Sequence, residues 1–155
     1  FMPELQERNM KIQLIGFIDE LPESTKQVVL KAVEDTKNNT GMVLTFALNY
    51  GSRAEIIEAT KALANEVQSG EISVEDINDE AFASKLQTSF LGELQDPDLM
   101  IRTSGEVRLS NFLLWQLAYS EYYFTDIFWP DFSEEDLHKA ILTYQGRHRR
   151  YGGLA

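Results

Sequence analysis

A chain of 155 residues fits one domain and can bury a sizeable core. Its apolar share of 43% contains no run approaching the ~18 residues of a membrane span, and with no cysteine it can form neither disulfides nor thiolate metal sites. The formal net charge of −11 argues against broad nucleic-acid binding, so an anionic ligand must be held by locally clustered cations. With no cysteine and no secretory pattern at the start, a cytoplasmic location is the expectation.

FMPELQERN reads as the tail of a helix with no capping signal ahead of it, as expected of a piece of a longer domain. KIQLIGF (11–17) is short, apolar and β-rich, a predicted strand. From Glu23 to Asn39 a helix places Val28, Val29, Ala32, Val33 and Thr36 on one face, with Asn38-Asn39-Thr40-Gly41 as its stop. MVLTFALNY (42–50) is a near-continuous apolar run, predicting a strand buried on both faces. After Gly51, Ser52-Arg53-Ala54-Glu55 fits a capping box for a helix carrying Ile56, Thr60, Leu63, Ala64 and Val67 to Gly70.

The stretch from Glu71 to Asp96 is acidic, with a short helix expected around Glu80–Gln87. DLMIRT (98–103) reads as a third strand, Phe112–Tyr119 as a helix too apolar for the surface, and Tyr122–Thr125 as a fourth strand. Ser133-Glu134-Glu135-Asp136 caps a last helix with Leu137, Ala140, Ile141 and Tyr144 inward, running into the basic tail RHRRYGG (147–153). Strands alternating with helices predict an α/β fold: a mostly parallel sheet with helices on both faces, in one domain or most of one.

Between the third strand and the apolar segment lies IRTSGEVRLSNF (101–112), polar where its neighbours are apolar. In open parallel sheets, ligands collect beyond the carboxyl ends of strands. Arg102 and Arg108 bring forked donors suited to phosphate oxygens, and Ser104-Gly105 permits a tight turn with exposed N–H groups. Ser110 or Asn111 can cap the following helix, whose N-terminus favours an anion. Together these suit a diphosphate. The competing reading is a surface loop in which the two arginines pair with Glu106 and Glu121.

Glu121 in AYSEYYF is open to two readings, a divalent-cation ligand bridging diphosphate oxygens or the structural partner of an arginine. No GxxxxGKS loop is present, His138 and His148 lack HExxH spacing, and Glu75–Glu80 reads as a solvated charge run. The aromatic run Tyr119, Tyr122, Tyr123, Phe124, Phe128, Trp129 and Phe132 has the character of a core or subunit contact. Arg147, Arg149 and Arg150 either offset the last helix's dipole or deliver cations to an anion site.

At DPDLMIRTSGEVRLSNFLLWQ, AYSEYYFT, WPDF and RHRRYGGL, with NYGSRAEI as a weaker block, the chain resembles the cis-prenyltransferases from FMPEL to GGL. The resemblance implies a Rossmann-like fold and a catalyst that joins isopentenyl diphosphate to an allylic diphosphate, usually farnesyl diphosphate. Repeated additions with new cis double bonds give a long polyprenyl diphosphate, a carrier lipid for cell-wall glycans. It implies Mg2+ as cofactor, a cytoplasmic homodimer, no nucleic-acid partner, and membrane contact only through the product.

Carried over by position, Arg102, Arg108, Leu109 and Ser110 match the isopentenyl diphosphate site, and Glu121 matches the magnesium ligand. Arg150-Tyr151-Gly152 resembles an Arg-x-Gly element that reaches across the dimer, which makes Arg150 and Gly152 cross-dimer contacts. Two departures stand out. The family's opening Asp-Gly-Asn-Gly-Arg-Trp loop, with its magnesium-binding aspartate, and its Ser-x-Glu-Asn-Trp segment do not occur here, and Ser52 stands where a second glycine is usual. The expectation is therefore the C-terminal portion of one such domain, carrying about half of an active site with no catalytic residue of its own, inactive alone. The alternative is a non-catalytic subunit of a heteromer; a generic nucleotide-binding module lacks the glycine-rich loop it needs.

Overall fold

The computed structural model describes residues 2–147, which divide into two compact units on either side of the boundary between Ser89 and Phe90. In the first, α1 (Met2–Glu7) leads into β1 (Lys11–Ile15), which pairs in parallel with β2 (Val43–Ala47) in the register Lys11↔Val43 to Ile15↔Ala47. Parallel strands need a crossover, and α2 (Glu23–Thr36) supplies it, starting after Pro22 with Glu23 in its first turn. Its last residue fastens it to the sheet. The Thr36 hydroxyl donates 2.8 Å back to the Ala32 carbonyl and accepts the Ile12 N–H at 2.9 Å, with Thr36 fully buried.

The helical face differs from the expected one at Val28, which is 69% exposed, while Val29, Ala32 and Val33 lie partly covered. The strand predicted at 42–50 is shorter and is not buried on both faces: Phe46 is 44% exposed. Its only strand neighbour among the described residues is β1, so no second strand covers its other edge.

Helix α3 (Ser52–Ser69) ends at Gly70, as expected, in a left-handed C-cap. Its predicted capping box does not form. Gly51 is the N-cap and makes no side-chain cap bond, and the buried stripe is Ser52, Glu55, Ala59 and Leu63. The Glu55 carboxylate, 1% exposed, is instead taken by the Tyr50 hydroxyl and by the Gln87 N–H at 2.8 Å. Gln87 in turn accepts the N–H of Gly16, where β1 turns away at φ +116° and any Cβ would lie 1.9 Å from the Leu48 carbonyl oxygen. A burial-driven network replaces a local cap. The acidic run 75–80 is exposed, with α4 (Asp79–Ala83) capped by Asn78.

In the second unit, β3 (Leu99–Arg102) pairs in parallel with β4 (Glu121–Phe124), Leu99↔Glu121 to Arg102↔Phe124. The connection between them departs from expectation: 112–119 forms bends and turns, not a regular helix. Ser110, Asn111 and Leu113 all sit at positive φ, which breaks any helical start, yet Leu113, Gln116 and Leu117 are still buried at helix-like spacing. Helix α5 (Glu134–Gln145) forms with the predicted Ser133–Asp136 capping box, but only Ala140 of its expected inner face is buried and Leu137 and Ile141 remain exposed. Every strand pair among the described residues is parallel, in an α/β arrangement. No helix among the described residues is long and apolar enough to cross a membrane.

Candidate functional site

Arg102 is the last residue of β3, so its side chain leaves the sheet where the chain turns. Ser104 and Gly105, at φ +67° and +68°, make that turn, and their N–H groups are spent on the Ile127 and Thr125 carbonyls at 2.8 and 3.0 Å. The turn is thus sewn to the strand extension beyond β4, and those two N–H groups are not open to an anion as expected. A Cβ on Gly105 would come 3.1 Å from the Asp126 carboxylate, so the position combines positive φ with a close approach.

Past the turn the chain folds back on Arg102. Its Nη1 donates to the carbonyl of Arg108 and, at 3.1 Å, to the Ser110 hydroxyl oxygen. The guanidinium is thereby oriented by two acceptors from its own loop. Arg108 is exposed and pairs with Glu106, which is half-buried. Such a pair is worth ~0.2–1 kcal/mol, so it holds this arginine weakly. Leu109 lies partly buried between them in sequence and Ser110 is exposed. The loop thus brings the Arg102 side chain to the Arg108 carbonyl and the Ser110 hydroxyl, while the Arg108 side chain is taken by Glu106.

Glu121 is elsewhere. It opens β4 opposite Leu99, three register steps, about 10 Å, from Arg102, and side chains one step apart alternate faces. Its partner is neither loop arginine but Arg147, whose Nη1 donates 2.8 Å to Glu121 Oε2 and 2.8 Å to the Tyr122 carbonyl. The surface-loop reading is thus met for Arg108 and Glu106 only. Arg147 joined the tail in the sequence reading, and its position just beyond α5 was the available signal for a guanidinium reaching the sheet. Arg150 and Gly152, the expected cross-dimer contacts, lie outside the described residues, as do His148 and Arg149.

Among the described residues no three His, Asp or Glu side chains converge on one point. Glu121 alone would offer a metal one carboxylate, whose Oε2 already accepts from Arg147, so the described residues make no closed metal site by themselves. On the other face of β3 from Arg102, an apolar cavity of about 480 Å3 is lined by Ile101, Thr103, Trp129, Phe132 and Leu137. The α5 capping box at its rim is strong: Asp136 Oδ2 accepts the Ser133 hydroxyl at 2.7 Å and N–H at 2.9 Å, which hold its carboxyl below the ordinary value, the hydroxyl most.

A cation-bearing loop at the carboxyl end of a parallel strand lies where ligands commonly collect in open α/β sheets. Residues 1–152 match the protein-family model described as "Putative undecaprenyl diphosphate synthase", and the chain belongs to that family, the cis-prenyltransferases. It is 56% identical over 154 residues to the ditrans,polycis-undecaprenyl-diphosphate synthase, (2E,6E)-farnesyl-diphosphate specific, of Micrococcus luteus, covering 99% of this chain and 61% of that one. An isoprenyl transferase of Halalkalibacterium halodurans is 54% identical over 153 residues, with 99% and 59% covered. Among solved structures, lavandulyl diphosphate synthase from Lavandula x intermedia, in complex with dimethylallyl diphosphate, superposes with a TM-score of 0.94 at 37% identity, over 98% of this chain and 65% of that one. The chain thus spans about 60% of the length of these curated relatives.

Proposed function

We propose that this chain is the C-terminal portion of a cis-prenyltransferase domain that extends farnesyl diphosphate with isopentenyl diphosphate to undecaprenyl diphosphate. The observation that carries the reading is the orientation of the Arg102 guanidinium by the Arg108 carbonyl and the Ser110 hydroxyl, beside a second arginine paired with Glu106. The name of the Micrococcus luteus relative and the allylic diphosphate bound in the lavandulyl diphosphate synthase structure support the substrate class.

In this reading Arg102, Arg108 and Ser110 grip the isopentenyl diphosphate headgroup, with Leu109 against it. Fixing the headgroup aims the homoallylic double bond at the allylic carbon and removes orientational entropy from the encounter. A carbon–carbon bond forms between the terminal alkene carbon of isopentenyl diphosphate and the allylic carbon as the allylic carbon–oxygen bond breaks and diphosphate leaves. A proton is then lost from C2 of the isopentenyl unit, which makes the new C2–C3 double bond. Magnesium, when bound, eases departure of the allylic diphosphate by neutralising its developing charge. Glu121 is the residue of this chain that would hold that ion, with Arg150 and Gly152 reaching a partner copy in a cytoplasmic homodimer. Because Glu121 and Arg102 lie apart along one β3–β4 pair, the reading fits a site completed by residues outside the described set.

The test is prenyl transfer from labelled isopentenyl diphosphate to farnesyl diphosphate, with and without Mg2+. It compares this chain with a protein of the relatives' full length that contains it. The expected result is Mg2+-dependent long cis product from the long form alone. Activity in neither form, with both folded, favours the non-catalytic subunit, and activity in the short chain contradicts the half-site account.

A further inference from the structure

Ser110, Asn111 and Leu113 hold left-handed backbone, at φ +51°, +63° and +45°, although none of them is glycine. There an L side chain crowds the following carbonyl, so such residues persist only where their surroundings fix them. Here the segment is fixed at both ends. Ahead of it, Arg102 Nη1 donates 3.1 Å to the Ser110 hydroxyl oxygen, from the same nitrogen that reaches the Arg108 carbonyl. Behind it, Leu113, Gln116 and Leu117 are buried, and the Tyr122 hydroxyl donates 3.0 Å to the Leu117 carbonyl. One helical turn is already closed, with the Leu117 N–H donating 2.9 Å to the Leu113 carbonyl. Closing a first turn is the costly step of helix formation, and it is done. The left-handed residues are what stop the helix from continuing back to Asn111.

We propose that residues 111–118 are a strained strap that winds into a helix when a diphosphate takes the Arg102 guanidinium, so that headgroup binding and winding are one event. The proposal rests on the reading of the loop after β3 as a diphosphate seat and adds how that seat responds. A phosphate oxygen is a stronger acceptor for Arg102 Nη1 than a neutral hydroxyl. Once it is bound, the Arg108 carbonyl still orients the guanidinium while Ser110 is let go. Ser110 then relaxes to the extended backbone of an N-cap, and its hydroxyl accepts the Leu113 N–H. Leu113, Gln116 and Leu117 stand at i, i+3 and i+4, so they keep one buried face in the wound state. Strain relieved on binding is the differential affinity a ligand needs to shift a two-state segment.

The test titrates isopentenyl diphosphate into the full chain labelled with 13C and 15N. At saturation the Cα resonances of 111–117 are expected to move to helical values, and the far-ultraviolet circular dichroism to gain about two turns of helix. Asn111 supplies the variants, since it lies in the strap and outside the assigned headgroup contacts. Asn111→Ala penalises the left-handed state and favours helix, and is expected to bind about three- to tenfold more tightly. Asn111→Gly eases the left-handed state and disfavours helix, and is expected to bind about two- to fivefold more weakly. Both are checked for a cooperative thermal transition. Equal affinities, weakening in both variants, or tighter binding by Asn111→Gly overturn the strap. Saturable binding with the 111–117 resonances unmoved also overturns it and leaves the seat standing. No binding by the folded parent chain overturns the seat and the strap together.

Discussion

Arg102 and Arg108 are chemically alike and held in different ways, and that difference predicts different losses. Arg102 is fixed by two acceptors of its own loop. Arg102→Ala removes a preset charge-assisted contact, ~1.5–3 kcal/mol, and should raise the isopentenyl diphosphate requirement of the full-length protein about ten- to a hundredfold in steady-state kinetics. Arg108 must first leave the half-buried Glu106, so Glu106→Gln should tighten headgroup binding modestly, about two- to fivefold, read by titration calorimetry. A weaker affinity in Glu106→Gln would show that the carboxylate itself serves the ligand. The arginines, serine and glutamate were all legible as residue types in sequence. Who pairs with whom was not: nothing in RTSGEVRLS says that Arg108 takes Glu106 while Arg147, twenty-six residues from Glu121, takes that carboxylate.

The elements that hold these residues were legible where local chemistry decides them. The capping box of α5 appears as read, because Ser133 and Asp136 satisfy each other within one turn. Ser133→Ala should cost about 1 kcal/mol and lower the thermal midpoint by a few degrees. The same box sets a pH dependence. Asp136 is held below its ordinary pKa of 3.8 by the Ser133 hydroxyl and N–H, so its contribution is present above that value and is lost as pH falls through the lower folded-state value. Acid titration of Ser133→Ala should lack this component.

Gly105→Ala tests the turn after β3: positive φ and the 3.1 Å approach to Asp126 should cost about 1–2 kcal/mol and weaken headgroup binding with little change at α5. The capping box at Ser52 and the helix at 112–119 failed as readings for a tertiary reason in each case. Glu55 serves Tyr50 and Gln87, thirty-two residues away in sequence from the latter, and left-handed Ser110, Asn111 and Leu113 bend a segment whose apolar spacing is helical.

For the whole molecule, parallel pairing and the α/β class followed from alternating strands and helices, while exposure did not. An apolar run reads as a buried strand only if both flanks are filled, and β2 has β1 alone beside it among the described residues. The aromatic run was read as core or subunit contact, and Tyr119, Phe128 and Trp129 are exposed in this chain, the last at 72%. That surface suits the second role, and sedimentation should find a species of twice the chain mass. A monomer at all concentrations would remove the homodimer from the account. The net charge of −11 repels diphosphates overall, so binding has to come from the local loop cations.

The central claim is that the loop after β3 is an isopentenyl diphosphate seat, and calorimetric titration of isopentenyl diphosphate into this chain tests it most directly. The account predicts saturable binding that inorganic diphosphate displaces and that Arg102→Ala weakens about ten- to a hundredfold in a folded protein. Binding unchanged by the combined Arg102→Ala and Arg108→Ala substitutions, or none by the folded parent chain, would contradict it.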